Sequence, residues 1–312
     1  MVVSFGLVLL ALLAIACGGG GGGGESSAKS FEGSYYTVDF SGATTDQPLI
    51  NSSYSASVSF DLDGEFITSS RELLVGVNAD AGELTPRIRL SLKYGGVSGG
   101  NLSGNYNGVI YGLPDLGGKV AVAQYNLDFS TSTPSANTVM VADNAAPLTA
   151  KLPGSGNTFQ LDAQGAIQWG DWQGGVSQNG NTLLLSSGNL FLLGSKVAAD
   201  SQDLSSKVFQ NSASVFQVDG DPGTALSKIT FTTTQMSLEI DDDLVSTPGN
   251  VPNSNVTRGF SQTGTGSSLI ILTHETIGDQ REQGFVGSEE FFVVINPDNS
   301  DRPTLSVGFL SE

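Results

Sequence analysis

Beyond an apolar opening run, hydrophobic positions in this chain recur at every second residue, with Ser, Thr, Asp or Asn between them. Such alternation sets one face of an extended strand against a core and the other toward water. It predicts strands over 34–40, 54–61, 65–70, 87–94, 106–111, 120–129, 138–142, 158–162, 166–169, 182–186 and 190–193. It resumes over 214–218, 228–234, 236–240, 268–274, 289–295 and 304–309. Clusters of Gly, Pro, Asn and Asp separate these segments, as tight turns require. Many short strands with almost no helical periodicity predict an all-β fold, an antiparallel, hairpin-built barrel or sandwich.

Two phrases recur at unequal intervals. Phe60-Asp61-Leu62-Asp63-Gly64, Phe159-Gln160-Leu161-Asp162-Ala163-Gln164-Gly165 and Phe216-Gln217-Val218-Asp219-Gly220 each lead an aromatic-headed strand into an Asp/Gly turn. Those turn residues tolerate left-handed backbone angles. Gly96-Val97-Ser98, Gly175-Val176-Ser177 and Gly259-Phe260-Ser261 are expected to precede Gly-rich turns. The unequal spacing describes degenerate internal repeats rather than the uniform blades of a propeller. A lapse of strand pattern over 198–206 marks a seam at which the body, 31–312, would divide into two lobes.

Ahead of that body, Val2 to Ala16 is apolar and uncharged. It is shorter than the ~20 residues of a membrane-crossing helix, and its length suits the apolar region of a signal peptide. Ala14-Ile15-Ala16-Cys17 resembles the lipobox of bacterial lipoproteins, with Ala14 where that family usually carries Leu. The resemblance implies a signal peptide over 1–16 and a lipid on Cys17, which is the single cysteine of the chain. It also implies a place in the bacterial envelope. Gly18 and Gly19, rather than Asp, after the cysteine point to the outer membrane, with the leaflet left open. Gly18 to Gly24 is an unbroken glycine tract, which loses too much backbone entropy to hold a helix or strand. Residues 17–30 then form a tether, with a root-mean-square reach of roughly 20 Å, and folded structure is expected from Phe31.

Net charge is −18 and the isoelectric point is near 4.1. A body this acidic is repelled by nucleic acid and by anionic lipid head groups. Nucleic-acid binding is therefore not expected, and attachment to the membrane falls to the lipid on Cys17. With Cys17 lipidated, no cysteine remains to form an internal disulfide.

Candidate chemistry is sparse. Gly96-Val97-Ser98-Gly99-Gly100 fits a G-x-S-x-G pattern, but the strand-to-helix setting of a nucleophile elbow is absent from the sequence around it. His274 is the only histidine and reads as a strand-end side chain. Asp219, Asp221, Asp298 and Asp301, and the run Asp241 to Asp243, offer oxygen ligands for calcium, but none has EF-hand spacing. Ordinary solvated turns account for them better. Trp169 and Trp172 flank a short turn, where two indoles could stack on a flat ligand or pack into the core, packing being favoured. No cofactor is expected.

These features together point to a lipid-anchored envelope protein with a non-catalytic structural, surface-interaction or binding role. The texture of the body weakly resembles barrel-bearing surface lipoproteins of the transferrin-binding class, with no motif from which a binding residue carries over. The alternative is a lipocalin-like carrier of a small apolar ligand; a hydrolase using two distant carboxylates ranks third.

Overall fold

The computed structural model describes residues 29–41, 49–60, 65–69, 72–78, 87–95, 102–112, 121–130, 133–141, 158–197, 204–218, 221–240, 255–263, 269–273, 281–286, 291–296 and 304–310. The fold is all-β, and every pairing between its described strands is antiparallel.

The first sheet contains β1 (Lys29–Ser41), β2 (Leu49–Phe60), β3 (Glu65–Ser69), β4 (Leu73–Asn78) and β5 (Arg87–Lys93), in the order β2-β1-β5-β4-β3. The second begins with β6 (Asn105–Gly112), β7 (Ala121–Asp128), β8 (Ser135–Val141) and β9 (Phe159–Leu161). It continues with β10 (Ala166–Trp169), β11 (Trp172–Val176), β12 (Thr182–Ser187) and β13 (Leu190–Lys196). Its order is β8-β7-β6-β13-β12-β11-β10-β9.

After Lys196 the chain leaves this sheet and builds a closed barrel. Its strands are β14 (Val208–Val218), β15 (Asp221–Phe231), β16 (Gln235–Ile240), β17 (Asn255–Thr263), β18 (Leu269–Thr273), β19 (Arg281–Val286), β20 (Phe291–Asn296) and β21 (Thr304–Leu310). Each pairs with the next, and β21 returns to β14 to close the ring.

One apolar cluster joins all three sheets. The first gives Tyr36, Val38, Phe40, Leu73, Val75, Val77, Ile88, Leu90 and Leu92. The second gives Val109, Tyr111, Leu184, Phe191 and Leu193, and the barrel gives Phe285, Phe291, Val293, Ile295, Leu305, Val307 and Phe309. Strand alternation follows from this. On β20, odd-numbered residues face the other sheets from the outer wall of the barrel, so Phe292 and Val294 face its interior. There they meet Phe209, Ile229, Phe231, Met236 and Val286, all buried. The rings of Phe209, Phe231 and Phe292 contact one another edge to face, with centroids 4.7–5.7 Å apart. This part of the barrel is packed with side chains. The second sheet buries its other face on a separate cluster that includes Tyr106, Tyr125, Trp169 and Trp172.

The β1–β2 ribbon bends at a register shift between Glu32 and Tyr35. Beyond it, Phe31 and Val58 pack on Tyr35 and Leu74, and Nη1 of Arg89 donates to the Ser59 carbonyl at 2.9 Å. The end of the ribbon therefore lies over the outer face of its own sheet.

Four strands lie where alternation predicts none: β4, β11, β17 and β19. Gly259-Phe260-Ser261, expected at the entry to a turn, lies inside β17. Gly96 to Gly100, Asp241 to Asp243 and His274 fall outside the described residues.

Two substitutions test the packing. Phe292→Ala removes one ring of the barrel triad and should cost about 3–5 kcal/mol, read as a fall in the urea midpoint. Gln124 is buried opposite Val109 on the face that carries the three-sheet cluster, where its carboxamide has no hydrogen-bond partner among the described residues. Gln124→Met, close in shape, should raise stability by about 1–3 kcal/mol; a lowered midpoint would mean the amide is bonded in solution.

Candidate functional site

Where the first sheet crosses the second, their contact changes from apolar to aromatic and polar. Tyr36 on β1, Tyr54 on β2 and Tyr94, just past β5, form a row of rings. Tyr36 and Tyr54 are tilted at 4.8 Å between centroids, and Tyr54 meets Tyr94 edge to face at 5.5 Å. The register sets the first pair directly, because Tyr36 lies opposite Tyr54. Contacts of this kind add about 0.5–1.5 kcal/mol beyond the area they bury.

Hydrogen bonds tie the row to the second sheet. The Tyr36 hydroxyl bonds Ser186 Oγ at 2.7 Å, Ser186 Oγ donates to Ser52 Oγ at 2.9 Å, and the Tyr54 hydroxyl donates to the Gly174 carbonyl at 2.8 Å. A lone bridge pairs Tyr94 with Ser177. The close approach depends on Gly175 of β11, where a Cβ would stand 3.1 Å from Cβ of Tyr94. A Cβ on Gly174 would instead meet the neighbouring strand β12 of its own sheet, 2.0 Å from the Leu184 carbonyl oxygen.

The row reaches the surface at its middle ring, Tyr54. Tyr36 is fully buried, whereas Tyr54 is 43% exposed and is the one large exposed hydrophobic side chain among the described residues. The exposed carboxylate of Asp162 acts on Tyr54 and Tyr94 through its charge, from the β9–β10 turn whose Gln164 carbonyl approaches Gly95, next to Tyr94. Asp162 Oδ1 also accepts the backbone N–H groups of Gln164 and Ala166, which fixes the β9–β10 turn.

Burial, with smaller contributions from Tyr36, Tyr94 and Asp162, pushes the Tyr54 phenol up to about 12. Burial also raises Tyr125 to about 12. It is the main cause of the upward shifts at Tyr35, Tyr36, Tyr94, Tyr106 and Tyr111 as well. At neutral pH these are neutral phenols, suited to hydrogen bonding and to contact with a flat group or a cation.

The residues singled out from sequence are dispersed. Trp169 and Trp172 are a cross-strand pair between β10 and β11, both buried. Trp169 contacts Phe129 at 5.3 Å between centroids. The structure places both indoles in the core rather than at a surface where a ligand could stack. Asp221 opens β15, paired with Val218. Cys17, Asp219, Asp298 and Asp301 lie outside the described residues. Among the described residues, no group of three or more His, Cys, Asp or Glu could hold a metal ion. Sequence reasoning missed the tyrosine row, for which the only hint is an aromatic at position 54 within the small polar run Asn51 to Ser57.

No protein-family model matches this chain, and no curated protein is similar to it.

All seven tyrosines are shifted upward, which predicts a late alkaline transition. A free phenol is half-ionised at about pH 10. The stability these groups contribute is intact below that pH and falls as the pH climbs toward 12, because the unfolded chain ionises first. Tyrosinate absorbance should therefore stay low at pH 10 and rise together with loss of the near-ultraviolet circular dichroism. Half-ionisation at pH 10 with the fold intact would show that the phenols are solvated.

Proposed function

We propose that this chain is a lipid-anchored protein of the bacterial envelope, most simply of the outer membrane, and that it works by binding rather than by catalysis. The observation that carries this reading is the stretch from Ala14 to Lys29. It runs from a lipobox-like tetrapeptide through the single cysteine and its glycines to Lys29, the first residue of strand β1. In that arrangement the lipid holds the protein and the tether sets the body off from the surface. The charge of −18 supports this division of labour, since an acidic body does not itself adhere to anionic lipid.

Neutral phenols running from the buried Tyr36 to the exposed Tyr54 support a surface that binds over one that reacts. The packed ring triad inside the barrel supports contact through the outside of the molecule. A lipocalin-like carrier would instead enclose an open apolar cavity of several hundred cubic ångströms.

Labelled palmitate should enter the wild-type chain and fractionate with outer membranes, and Cys17→Ser should abolish the label and release the protein into the soluble fraction. Membrane fractionation unchanged by Cys17→Ser would refute lipid anchoring.

A further inference from the structure

Sheet edges expose unpaired backbone N–H and C=O groups, and folded proteins usually blunt them. Among the described residues, this molecule blunts all but one. The barrel is closed and has no edge. β3 lies against barrel strands β14 and β21. β9 is three residues long. β8 starts directly after the buried Pro134 and is paired to β7 through a register shift.

β2 has none of these devices. It is a twelve-residue edge strand, without charge or proline from Leu49 to Phe60, and its register shift is absorbed on the β1 side. Asn51, Ser53, Tyr54, Ala56 and Ser57 are all exposed along it. The guanidinium of Arg89 takes the Ser59 carbonyl, which leaves 49–57 as the open stretch.

We propose that this edge receives an extended, lysine- or arginine-bearing segment of a partner protein as an added strand, with one basic side chain seated at Tyr54 and Asp162. Strand addition uses backbone hydrogen bonds for affinity and side-chain pockets for selection. The selecting chemistry is local. Tyr54 offers an exposed ring to a cation, and the exposed carboxylate of Asp162 acts on that ring from the turn whose Gln164 approaches Gly95, next to Tyr94. The net charge favours the same occupant, because −18 repels a second copy of the chain and attracts a basic segment.

This deepens the binding role proposed above and rests on it. The test uses the full-length protein in detergent micelles and an acetylated peptide of about twelve residues alternating valine with lysine, with a valine–glutamate peptide as control. The lysine peptide should slow amide hydrogen exchange within 49–57, and the glutamate peptide should not. Ser53→Lys combined with Ser57→Lys, both at exposed positions, should weaken lysine-peptide binding by about tenfold or more through like-charge repulsion. Asp162→Asn should weaken it by roughly threefold. Near-ultraviolet circular dichroism identical to wild type confirms that the variants fold.

Equal protection by both peptides, or by neither, overturns the proposal. So does protection without peptide that tracks a dimer in sedimentation velocity, which would make a second copy the occupant. Failure of the peptide arm while palmitate still labels the wild type removes the edge assignment and leaves lipid anchoring standing.

Discussion

Burying one face of the first sheet, one face of the second and part of the outer wall of the barrel in a single apolar junction is what makes these three sheets one molecule. Leu73, Val75 and Val77 from one side, Val109 and Leu193 from another, and Phe291, Val293 and Ile295 from the third all lose contact with water together. Each such side chain contributes about 1.5–3 kcal/mol relative to exposure. Neither the first sheet nor the barrel wall has a second partner for these faces among the described residues, so each supports the burial of the others. The low charged fraction, 14%, is consistent with a chain that spends its strands on shared interior.

At the edge of this junction, burial stops being purely apolar. The tyrosine row sits where the first sheet crosses the glycine pair of β11, and its hydroxyls reach Ser186 and Gly174 across the gap. Polar groups of this kind fix the angle and register of two sheets more sharply than apolar contact alone, because misplacing them leaves buried donors unpaired. The same crossing brings Tyr54 and Asp162 to the surface beside the open edge of β2. The hydrogen-bonded part of the sheet–sheet contact and the edge of β2 are neighbours.

Fold class was legible because most strands show period-two alternation between clusters of turn residues. It failed where that condition fails. β4 reads as a continuous apolar run because Leu73, Val75 and Val77 face the three-sheet junction while Leu74 packs with Tyr35 on the opposite face. β11 reads as a turn because its middle is Gly174-Gly175, yet Gly175 makes room for Tyr94 of the first sheet and Gly174 lies close against the Leu184 backbone of β12. β17 and β19 are rich in polar residues and interrupted by Gly259 and Gly284, so their strand character comes from neighbours in the ring rather than from their own pattern. The tyrosine site was not legible for a different reason. Tyr36 and Ser186 are 150 positions apart, and no local spacing encodes a contact made by the crossing of two sheets. The tryptophans are the converse, a local pair whose closeness in sequence reflects a hairpin and its core.

Ring closure in the barrel joins its first strand to its last, and this has a consequence for assembly. Val215 pairs with Leu305 and Phe216 with Thr304, so β14, once made, keeps one side open until the final segment of the chain arrives. Loss of the last strand would therefore not trim the barrel at one end. It would free the edges of both β14 and β20 and uncover Val293 and Ile295 in the shared junction, turning a closed surface into two sites for mispairing. Strand β21 is therefore the latch of the barrel and the last guard on the common core.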